Sequence, residues 1–435
     1  MTLNVTFAQN LVASSTTGGT LTSGAQTISG VKTMQDGLLI SNTMPALTGA
    51  QSVSQWLKPL LPLHLKNLNA GHGVGAYTAP LTVQYAYVGA VYSPTQNRIY
   101  FCPQQNSSAT TWHYVDCFTG SVVGYTGVAL PANFYNGGCY SPTQNRIYFM
   151  PMYGNATATS WHYIDCNTGS LVGYAHGIVS TFNGYDGGGV FSPTQNRIYL
   201  PPNHQATAAS WHYIDCNTGS VVAYAPNATG IGDSAYGTGV YSPTQNRIYM
   251  SPNGQGTASL WHYIDCSTGS IVAYTPGVTT TQYGYSSAAY SPTQNRIYFV
   301  PSNQSTIATW HYVDCNTGSI VAYTHGVTGL PASAYLGGVY NPSLNRIYFV
   351  PYAQASSTTW HYIDCNTGSV VAYSPGVTVV TTGYYGGAYS PLQNRIYLAP
   401  ANQGTTTTWH YIQGTGDATG LCPYMFGSTI LSSTY

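Results

Sequence analysis

The chain has 435 residues, enough for one large domain or two to three smaller ones, yet only 5% of them are charged. Ten basic residues balance ten aspartates and glutamate is absent, so the formal net charge is zero. Such a surface excludes recognition of nucleic acid or anionic lipid by charge, and no stretch approaches the roughly 18 apolar residues of a membrane-spanning helix. The abundance of Gly, Thr, Tyr and Asn indicates an all-β protein.

The N-terminal segment, residues 1–68, differs in pattern from the rest of the chain. Its stretch TSGAQTISGVKTMQDGLLIS (22–41) consists of short strand-like pieces broken by glycine. This stretch resembles the QTISGVKTF-like segments of fibre and attachment proteins of phages and large viruses, although Met34 stands where those segments often carry an aromatic residue. The resemblance implies a β-rich anchor or shaft, often trimeric, that binds other virion or capsid proteins and displays a distal host-binding domain.

The stretch QWLKPLLPLHLKNL (55–68) closes this segment and is strongly apolar. Its two prolines argue against a regular helix. An isolated monomer rarely exposes so apolar a surface. We therefore expect this stretch to pack under the following domain or against a partner subunit.

A repeat occupies the remainder of the chain. The motif SPTQNRIY or a close variant is followed each time by the triplet Trp-His-Tyr. The copies start 48 to 51 residues apart, at Ser93, Ser141, Ser192, Ser242, Ser291, Asn341 and Ser390. A period of about 40 to 50 residues with four strand-like runs is typical of a propeller blade. The alternative is an open solenoid of seven β-units.

The fourth copy shows the four predicted strands most plainly. They are GTGVYS (237–242), RIYMSP (247–252), LWHYIDC (260–266) and SIVAY (270–274). The last copy lacks its fourth strand after residue 416, whereas NAGHGVGAY (69–77) ahead of the first copy resembles CNTGSLVGY (166–174). We therefore predict that residues 72–77 complete the last blade and close the ring, which removes exposed sheet edges.

The loops of the repeat differ in how much they vary within this chain. With the four strands of a copy called A to D in chain order, the turns SPTQN (A–B) and CNTGS (C–D) barely change, whereas the B–C loops and the D–A connections to the next copy differ from copy to copy. In a four-stranded meander these two sets emerge at opposite ends, so one face is uniform and the other, the variable face, is the expected binding surface. Candidate ligand-binding residues there are Tyr135, Tyr185, Tyr236, Tyr283, Tyr285, Tyr335, Tyr384 and Tyr385, with Asp186 and Asp233.

The repeated charged residues are predicted to be structural. An arginine begins the second strand and an aspartate ends the third, so both lie at the same end of the blade, where a guanidinium and a carboxylate can pair. The predicted pairs are Arg98 with Asp116, Arg146 with Asp165, Arg197 with Asp215, Arg247 with Asp265, Arg296 with Asp314, and Arg346 with Asp364. Gln413 replaces the aspartate in the last blade, so Arg395 must find another acceptor.

The Trp, His and Cys of WHYIDC are also expected to be scaffold. The Trp is predicted to wedge between blades. The His is predicted to form hydrogen bonds in the core, because equivalent atoms of adjacent sheets about 10 Å apart cannot share one metal ion. The repeated cysteines are expected to be free buried thiols. We predict neither a metal nor another cofactor.

The sequence therefore predicts an all-β chain: a seven-bladed β-propeller at 69–417 closed by an N-terminal strand, an anchor or shaft at 1–68, and a tail at 418–435. The predicted function is attachment or adhesion on a virion surface, with a host glycan or receptor as ligand and a homo-oligomer, guessed to be a trimer. A free, extracellular lectin-like propeller is the alternative. A glycan-processing enzyme is a less favoured alternative, since such hydrolases usually need two carboxylates, the chain has no Glu, and six aspartates are assigned to the scaffold. Asp186 and Asp233, in successive D–A connections, are the one pair on the variable face that could serve; we expect no catalysis.

Overall fold

The computed structural model describes residues 73–104, 110–130, 134–152, 159–178, 185, 187–203, 210–226, 228–304, 307–355 and 357–414, and four short strands near the N terminus. Among those strands, β1 (Leu3–Val5) pairs with β4 (Gln26–Ile28), and β2 (Val12–Ala13) pairs with β3 (Gly19–Thr20), both antiparallel. Contacts divide the chain into two units, Met1–Leu65 and Lys66–Tyr435.

Seven four-stranded antiparallel sheets form the second unit, and each of blades 1 to 6 uses four consecutive strands, A to D. Blade 1 comprises β6 (Tyr87–Ser93), β7 (Arg98–Pro103), β8 (Thr111–Asp116) and β9 (Ser121–Thr126). Blade 2 comprises β10 (Tyr135–Ser141), β11 (Arg146–Pro151), β12 (Ser160–Asp165) and β13 (Ser170–Ala175). Blade 3 comprises β14 (Val190–Ser192), β15 (Arg197–Tyr199), β16 (Trp211–Asp215) and β17 (Val221–Tyr224).

The remaining blades repeat this arrangement. Blade 4 comprises β18 (Tyr236–Ser242), β19 (Arg247–Pro252), β20 (Trp261–Asp265) and β21 (Ser270–Tyr274). Blade 5 comprises β22 (Tyr285–Ser291), β23 (Arg296–Pro301), β24 (Thr309–Asp314) and β25 (Ser319–Thr324). Blade 6 comprises β26 (Tyr335–Asn341), β27 (Arg346–Pro351), β28 (Trp360–Asp364) and β29 (Ser369–Tyr373). Blade 7 comprises β30 (Tyr384–Ser390), β31 (Arg395–Pro400), β32 (Thr408–Gln413) and, out of chain order, β5 (Gly73–Thr78).

The strand β5 closes the ring, as the sequence predicts. It pairs antiparallel with β32 from Gly73 opposite Gln413 to Thr78 opposite Thr408. The innermost strands of neighbouring blades contact each other, and β30 of blade 7 contacts β6 of blade 1. The seven-bladed propeller is therefore confirmed, and the open solenoid is wrong.

Glycine allows the innermost strands to approach one another closely around the central axis. A Cβ added to Gly237 of blade 4 would lie 2.2 Å from the carbonyl oxygen of Ser286 in blade 5. A Cβ added to Gly137 of blade 2 would lie 3.0 Å from the Cα of Gly188 in blade 3. Backbone packs directly on backbone at these positions, so a side chain there would push the strands apart.

The tryptophan of each third strand fills the space between two blades. Trp112 of blade 1 is fully buried, and its ring lies 5.9 Å from that of Phe149 in blade 2. One hydrophobic cluster joins Trp112 to Ile147, Ile164 and Cys166 of blade 2. Trp261 and Trp310 contact Phe299 and Phe349 of the next blade in the same way. The predicted wedge between blades is confirmed.

Hydrogen bonds at the uniform face join the A–B turns of neighbouring blades. The asparagine that ends each SPTQN turn has a left-handed backbone, with φ between 51° and 53°, which Asn tolerates better than most residues. Its Oδ1 accepts from a hydroxyl of the preceding blade in six pairs: Thr95–Asn145, Thr143–Asn196, Thr194–Asn246, Thr244–Asn295, Thr293–Asn345 and Ser343–Asn394. These hydrogen bonds between blades therefore explain why the SPTQN turns of the uniform face barely vary from copy to copy.

Among the described residues, two short 3-10 turns lie in B–C loops, at Gly254–Thr257 in blade 4 and at Asn402–Thr405 in blade 7. Within the residues that the structure describes, no helix is long and apolar enough to cross a membrane. The secondary structure of the described chain is therefore almost wholly strand and turn.

Candidate functional site

Most of the predicted binding tyrosines lie inside the propeller rather than on its variable face. Six of them are 0 to 3% exposed: Tyr135, Tyr185, Tyr236, Tyr285, Tyr335 and Tyr384. Each of these except Tyr185 is the first residue of strand A, and in each of those five strands a register shift follows the tyrosine. Their predicted exposure is therefore wrong, because they pack inward.

Two of the predicted tyrosines do reach the surface. Tyr283 is 46% exposed in the connection between blades 4 and 5. Tyr385 is partly buried, with its ring edge-to-face against that of Tyr352 at 5.7 Å. Asp233 is exposed in the connection between blades 3 and 4, whereas Asp186 lies outside the described residues. Only Tyr283, Tyr385 and Asp233 therefore remain as candidates on the described surface, and their role in binding stays a prediction.

The buried tyrosines pair with the histidines of the Trp-His-Tyr triplets. In each blade the tyrosine hydroxyl lies 2.5 to 2.7 Å from the histidine Nδ1: Tyr87–His113, Tyr135–His162, Tyr185–His212, Tyr236–His262, Tyr285–His311, Tyr335–His361 and Tyr384–His410. Burial lowers the pKa of all seven histidines, to about 4 for His212, His361 and His410. The imidazoles are neutral near pH 7, and the prediction of hydrogen-bonding core histidines is confirmed.

Blade 4 establishes which nitrogen of the imidazole carries the proton. His262 Nε2 lies 3.0 Å from the carbonyl oxygen of Thr229, which can only accept, so Nε2 donates. Burial raises the pKa of Tyr236 well above its ordinary value, so its hydroxyl keeps its proton and donates to Nδ1.

The predicted Arg–Asp ion pairs are wrong, although the two residues lie opposite each other on neighbouring strands, as Arg98 and Asp116 do. The Asp116 Oδ1 instead accepts from the backbone N–H groups of Phe118 and Thr119 in the C–D turn. The Arg98 guanidinium lies over the ring of Tyr114, 4.4 Å from its centroid, and donates to the Tyr100 hydroxyl. The Asp116 carboxylate accepts from the backbone N–H groups of its own turn, and the Arg98 guanidinium contacts tyrosine side chains instead.

All the other predicted pairs separate in the same way. The aspartates Asp165, Asp215, Asp265, Asp314 and Asp364 each accept from a backbone N–H two residues on. The arginines Arg146, Arg197, Arg247, Arg296 and Arg346 each lie over a tyrosine ring at 4.2 to 4.5 Å. Burial lowers the pKa of Arg98, but Tyr100, Tyr114 and Asp116 outweigh it, so the net pKa is raised.

The last blade differs, because Gln413 itself accepts a hydrogen bond from Arg395. The sequence predicts a different acceptor for this arginine. The Arg395 Nε donates to Gln413 Oε1 at 2.8 Å, and the guanidinium still lies over the Tyr411 ring, 4.1 Å from its centroid. The cation–π contact is therefore common to all seven blades, whereas the direct contact to strand C is described only in blade 7. Contacts of this kind are worth about 0.5 to 2 kcal/mol each.

A pair of substitutions at Asp215 distinguishes turn formation from ion pairing. In the unmodified chain the backbone N–H of Asn217 donates to Asp215 Oδ1 at 2.8 Å. Asp215→Asn retains an oxygen acceptor for this N–H, so the free energy of unfolding should change little. Asp215→Ala removes this acceptor, and the free energy of unfolding should fall by about 1 kcal/mol. Denaturant unfolding of both variants checks this. Equal losses of unfolding free energy in the Asn and Ala variants would instead favour an ion pair between Asp215 and Arg197.

Two open clefts lie on the variable face, on either side of blade 6. The first, cleft 5/6, has a volume of about 500 Å³ and lies between the connection His325–Leu330 and blade 6, with His361 in its wall. The second, cleft 6/7, has a volume of about 780 Å³ and lies between the connection Ser374–Thr378 and blade 7, with His410 in its wall. Ser357 and Thr358 line both clefts, and none of the described residues that line either cleft is charged.

Reactive side chains are otherwise kept apart or inert. The six repeated cysteines are free and buried, as predicted: Cys117, Cys166, Cys216, Cys266, Cys315 and Cys365. Cys102 and Cys139 are free and buried as well. Burial raises the pKa of each, for example to about 11 for Cys216, so none carries an activated thiolate. Across the described part of the chain, no group of three or more His, Cys or Asp residues is placed to hold a metal ion.

The sequence reasoning missed both clefts and the tyrosine–histidine pairs. A signal for the pairs was present, since the tyrosine precedes the histidine by 26 or 27 residues in every blade. The clefts depend on how a connection folds over the next blade, and variable loops of Ser, Thr and Gly carry no pattern that predicts this.

No family model matches this chain, and no curated protein matches it significantly. The propeller is similar to several solved structures. A streptogramin B lyase is 13% identical with a TM-score of 0.56, covering 78% of this chain and 98% of that chain. The virginiamycin B lyase from Staphylococcus aureus is 11% identical with a TM-score of 0.55, covering 78% and 99%. The hydrazine synthase of Kuenenia stuttgartiensis is 14% identical with a TM-score of 0.55, covering 78% and 99%. At these identities the comparisons show the β-propeller fold alone.

Proposed function

We propose that this chain is an attachment protein of a virion surface, whose propeller binds neutral glycans through its variable face. The observation that carries the proposal is the pair of clefts beside blade 6, which open on the variable face and are lined by aliphatic side chains together with hydroxyl, imidazole and backbone groups, with no charged residue among the described residues. Such a lining suits a ligand that is itself neutral and rich in hydroxyl groups.

The rigid scaffold supports this role. Tryptophan wedges, tyrosine–histidine pairs and the hydrogen bonds of the uniform face hold every blade in place, so loops can vary without loss of the fold. The resemblance of residues 22–41 to viral fibre segments supports display on a virion as a homo-oligomer, with residues 1–68 contacting other virion or capsid proteins.

A glycan array probed with the labelled full-length chain tests the ligand class. We expect retention on neutral glycans that persists when the salt concentration is raised, because no fixed charge takes part. Retention only on sialylated or sulfated glycans, with loss at high salt, would contradict the neutral ligand. The absence of retention on any glycan would remove glycan binding from the proposal.

The mass of the full-length chain in solution tests the fibre role separately. We expect a homo-oligomer. A monomer that still binds glycans would favour a free lectin-like propeller, the alternative that needs no shaft. Binding and mass therefore report on different parts of the proposal.

A further inference from the structure

Three tyrosines from different blades meet at the variable face, and we call them the tyrosine cluster. Tyr352 directly follows strand B of blade 6, Tyr385 is the second residue of strand A of blade 7, and Tyr85 lies two residues before strand A of blade 1. The rings of Tyr352 and Tyr385 meet edge-to-face with their centroids 5.7 Å apart. The Tyr85 hydroxyl interacts with that of Tyr352 and lies 3.3 Å from the Thr382 hydroxyl.

The cluster belongs to one sector of the ring rather than to the repeat. Where strand B of another blade ends at a proline, the residue after it is not aromatic: Gln104, Met152, Asn253, Ser302 and Ala401. Where strand A of another blade begins with tyrosine, its second residue is not aromatic either: Val88, Asn136, Gly237, Ser286 and Leu336. The variation between blades therefore brings aromatic rings together where blades 6, 7 and 1 adjoin.

The backbone at Tyr85 is unfavourable for so large a residue. Tyr85 has a φ of 53°, in the left-handed region that bulky side chains rarely adopt. Blades 4, 6 and 7 have smaller residues at the equivalent position, with nearly the same φ: Ser234, Ser333 and Thr382. Conformations of this kind cost free energy and occur most often at functional sites. Packing of the repeat alone therefore does not explain the tyrosine at position 85.

The three rings are partly buried, in contrast to the fully buried tyrosines that begin the A strands. Tyr385 lies in the register shift of its strand, a distortion that redirects a side chain. Burial raises the pKa of Tyr352 to about 12, and the Tyr85 hydroxyl beside it adds to the rise, so the Tyr352 hydroxyl is neutral near pH 7. The cluster thus combines fixed, accessible aromatic surface with hydroxyl groups.

We propose that the tyrosine cluster is a sugar-binding site, in which the apolar face of a neutral pyranose packs on the tyrosine rings. A pyranose presents C–H groups on one face and hydroxyl groups around its rim. Tyrosine matches this pattern, since it offers an apolar ring with a polar tip. The hydroxyls of Tyr85 and Thr382 can each donate and accept, so they can bond to the rim of the sugar. The inference rests on the proposed glycan binding and adds a stacking site to the variable face.

A substitution at Tyr85 tests the site without disturbing the fold. Tyr85→Ser introduces the residue that blades 4 and 6 have at this position, so the melting temperature should change little. Affinity of the full-length chain for methyl glycosides of glucose, galactose, mannose and N-acetylglucosamine, measured by calorimetry, should fall about tenfold or more for those it binds. Leu81→Ser, in the same connection and 63% exposed but outside the cluster, should leave the affinity within about twofold.

A second pair of variants separates ring stacking from hydrogen bonding. Tyr352→Phe keeps the ring and should rescue most of the affinity that Tyr352→Leu loses. Proton NMR of the bound methyl glycoside adds a readout that a purely structural role would not give. Sugar C–H resonances should shift upfield in the presence of the unmodified chain, because they lie over aromatic rings, and this shift should be smaller with Tyr352→Leu. Equal losses of affinity in both variants would overturn stacking.

Tyr283 offers an internal comparison. It stands at the position of blade 5 that corresponds to Tyr85 and has a φ of 57°, but it is 46% exposed and no other ring among the described residues contacts it. Tyr283→Ser should therefore lower the affinity less than Tyr85→Ser does. The reverse order would place the sugar at blade 5 and overturn the cluster.

The outcomes separate this inference from the function beneath it. If the unmodified chain binds neither these glycosides nor any neutral glycan of the array, glycan binding and the stacking site are both overturned. If it binds neutral glycans and the Tyr85→Ser and Tyr352→Leu variants bind them equally well, the stacking site alone is overturned and the glycan lies elsewhere on the propeller. Loss of affinity in both variants, with an unchanged melting temperature and rescue by Tyr352→Phe, supports the stacking site.

Discussion

Lowering the pH from about 7 to about 4 is expected to unfold the propeller in a steep transition. Of the seven histidines of the Trp-His-Tyr triplets, six are buried and His162 is partly buried, all as neutral imidazoles, and burial lowers the pKa of each. In the unfolded chain they titrate near their ordinary pKa of about 6.5. Between these two values the unfolded state binds more protons than the folded state, so stability is complete above about pH 6.5 and is lost as the pH falls towards 4.

The size of this effect follows from the three largest shifts. The pKa values of His212, His361 and His410 fall from 6.5 to about 4. At about 1.4 kcal/mol for each pKa unit, each of these histidines contributes roughly 3 kcal/mol against folding once the pH is below its folded pKa. Three such contributions are comparable to the whole stability of a typical domain, about 5 to 15 kcal/mol.

Denaturant unfolding at a series of pH values from 7.5 to 4.5, followed by tryptophan fluorescence, checks this prediction. The free energy of unfolding should begin to fall near pH 6.5, with a slope that corresponds to several protons. His410→Gln keeps an acceptor for the Tyr384 hydroxyl and should lower that slope by about one proton. A free energy of unfolding that stays constant down to pH 4.5 would show that the histidines are not buried as described.

The repeat made the strands predictable almost to the residue. The predicted strands 247–252 and 270–274 of blade 4 coincide with β19 and β21, because each is bounded by turn residues that leave little choice of register. The closing strand was predictable too, since a blade without its outer strand leaves an exposed edge.

The side chains of the candidate site were harder to predict. The sequence placed Tyr335 in a variable D–A connection and hence on the surface, but it begins strand A, a register shift follows it, and its hydroxyl reaches His361. Opposite charges at Arg98 and Asp116 indicated an ion pair, yet the turn offers the carboxylate two backbone donors two and three residues away. Such local competition depends on turn geometry, which the order of residues does not reveal.

Deleting residues 1–78 is expected to abolish cooperative folding of the propeller. The deletion removes β5, the outer strand of blade 7, and leaves β32 as an unpaired edge that begins at Thr408. It also removes Tyr77, whose ring contacts those of Trp409, Tyr397 and Tyr411. Burying on the order of 150 Å² of aromatic surface is worth about 4 kcal/mol, to which the lost strand pairing adds.

The matched control for this deletion is removal of residues 1–65, because the contacts separate Met1–Leu65 from the unit that contains β5. That shorter deletion should keep a cooperative thermal transition with a melting temperature close to that of the full chain. A synthetic peptide of residues 69–79, added to the 79–435 fragment during refolding, should restore the transition, since the strand pairs by backbone hydrogen bonds. The contrary outcome is a 79–435 fragment that melts like the full chain without the peptide. It would show that the ring closes without β5 and that this strand does not hold blade 7 to blade 1.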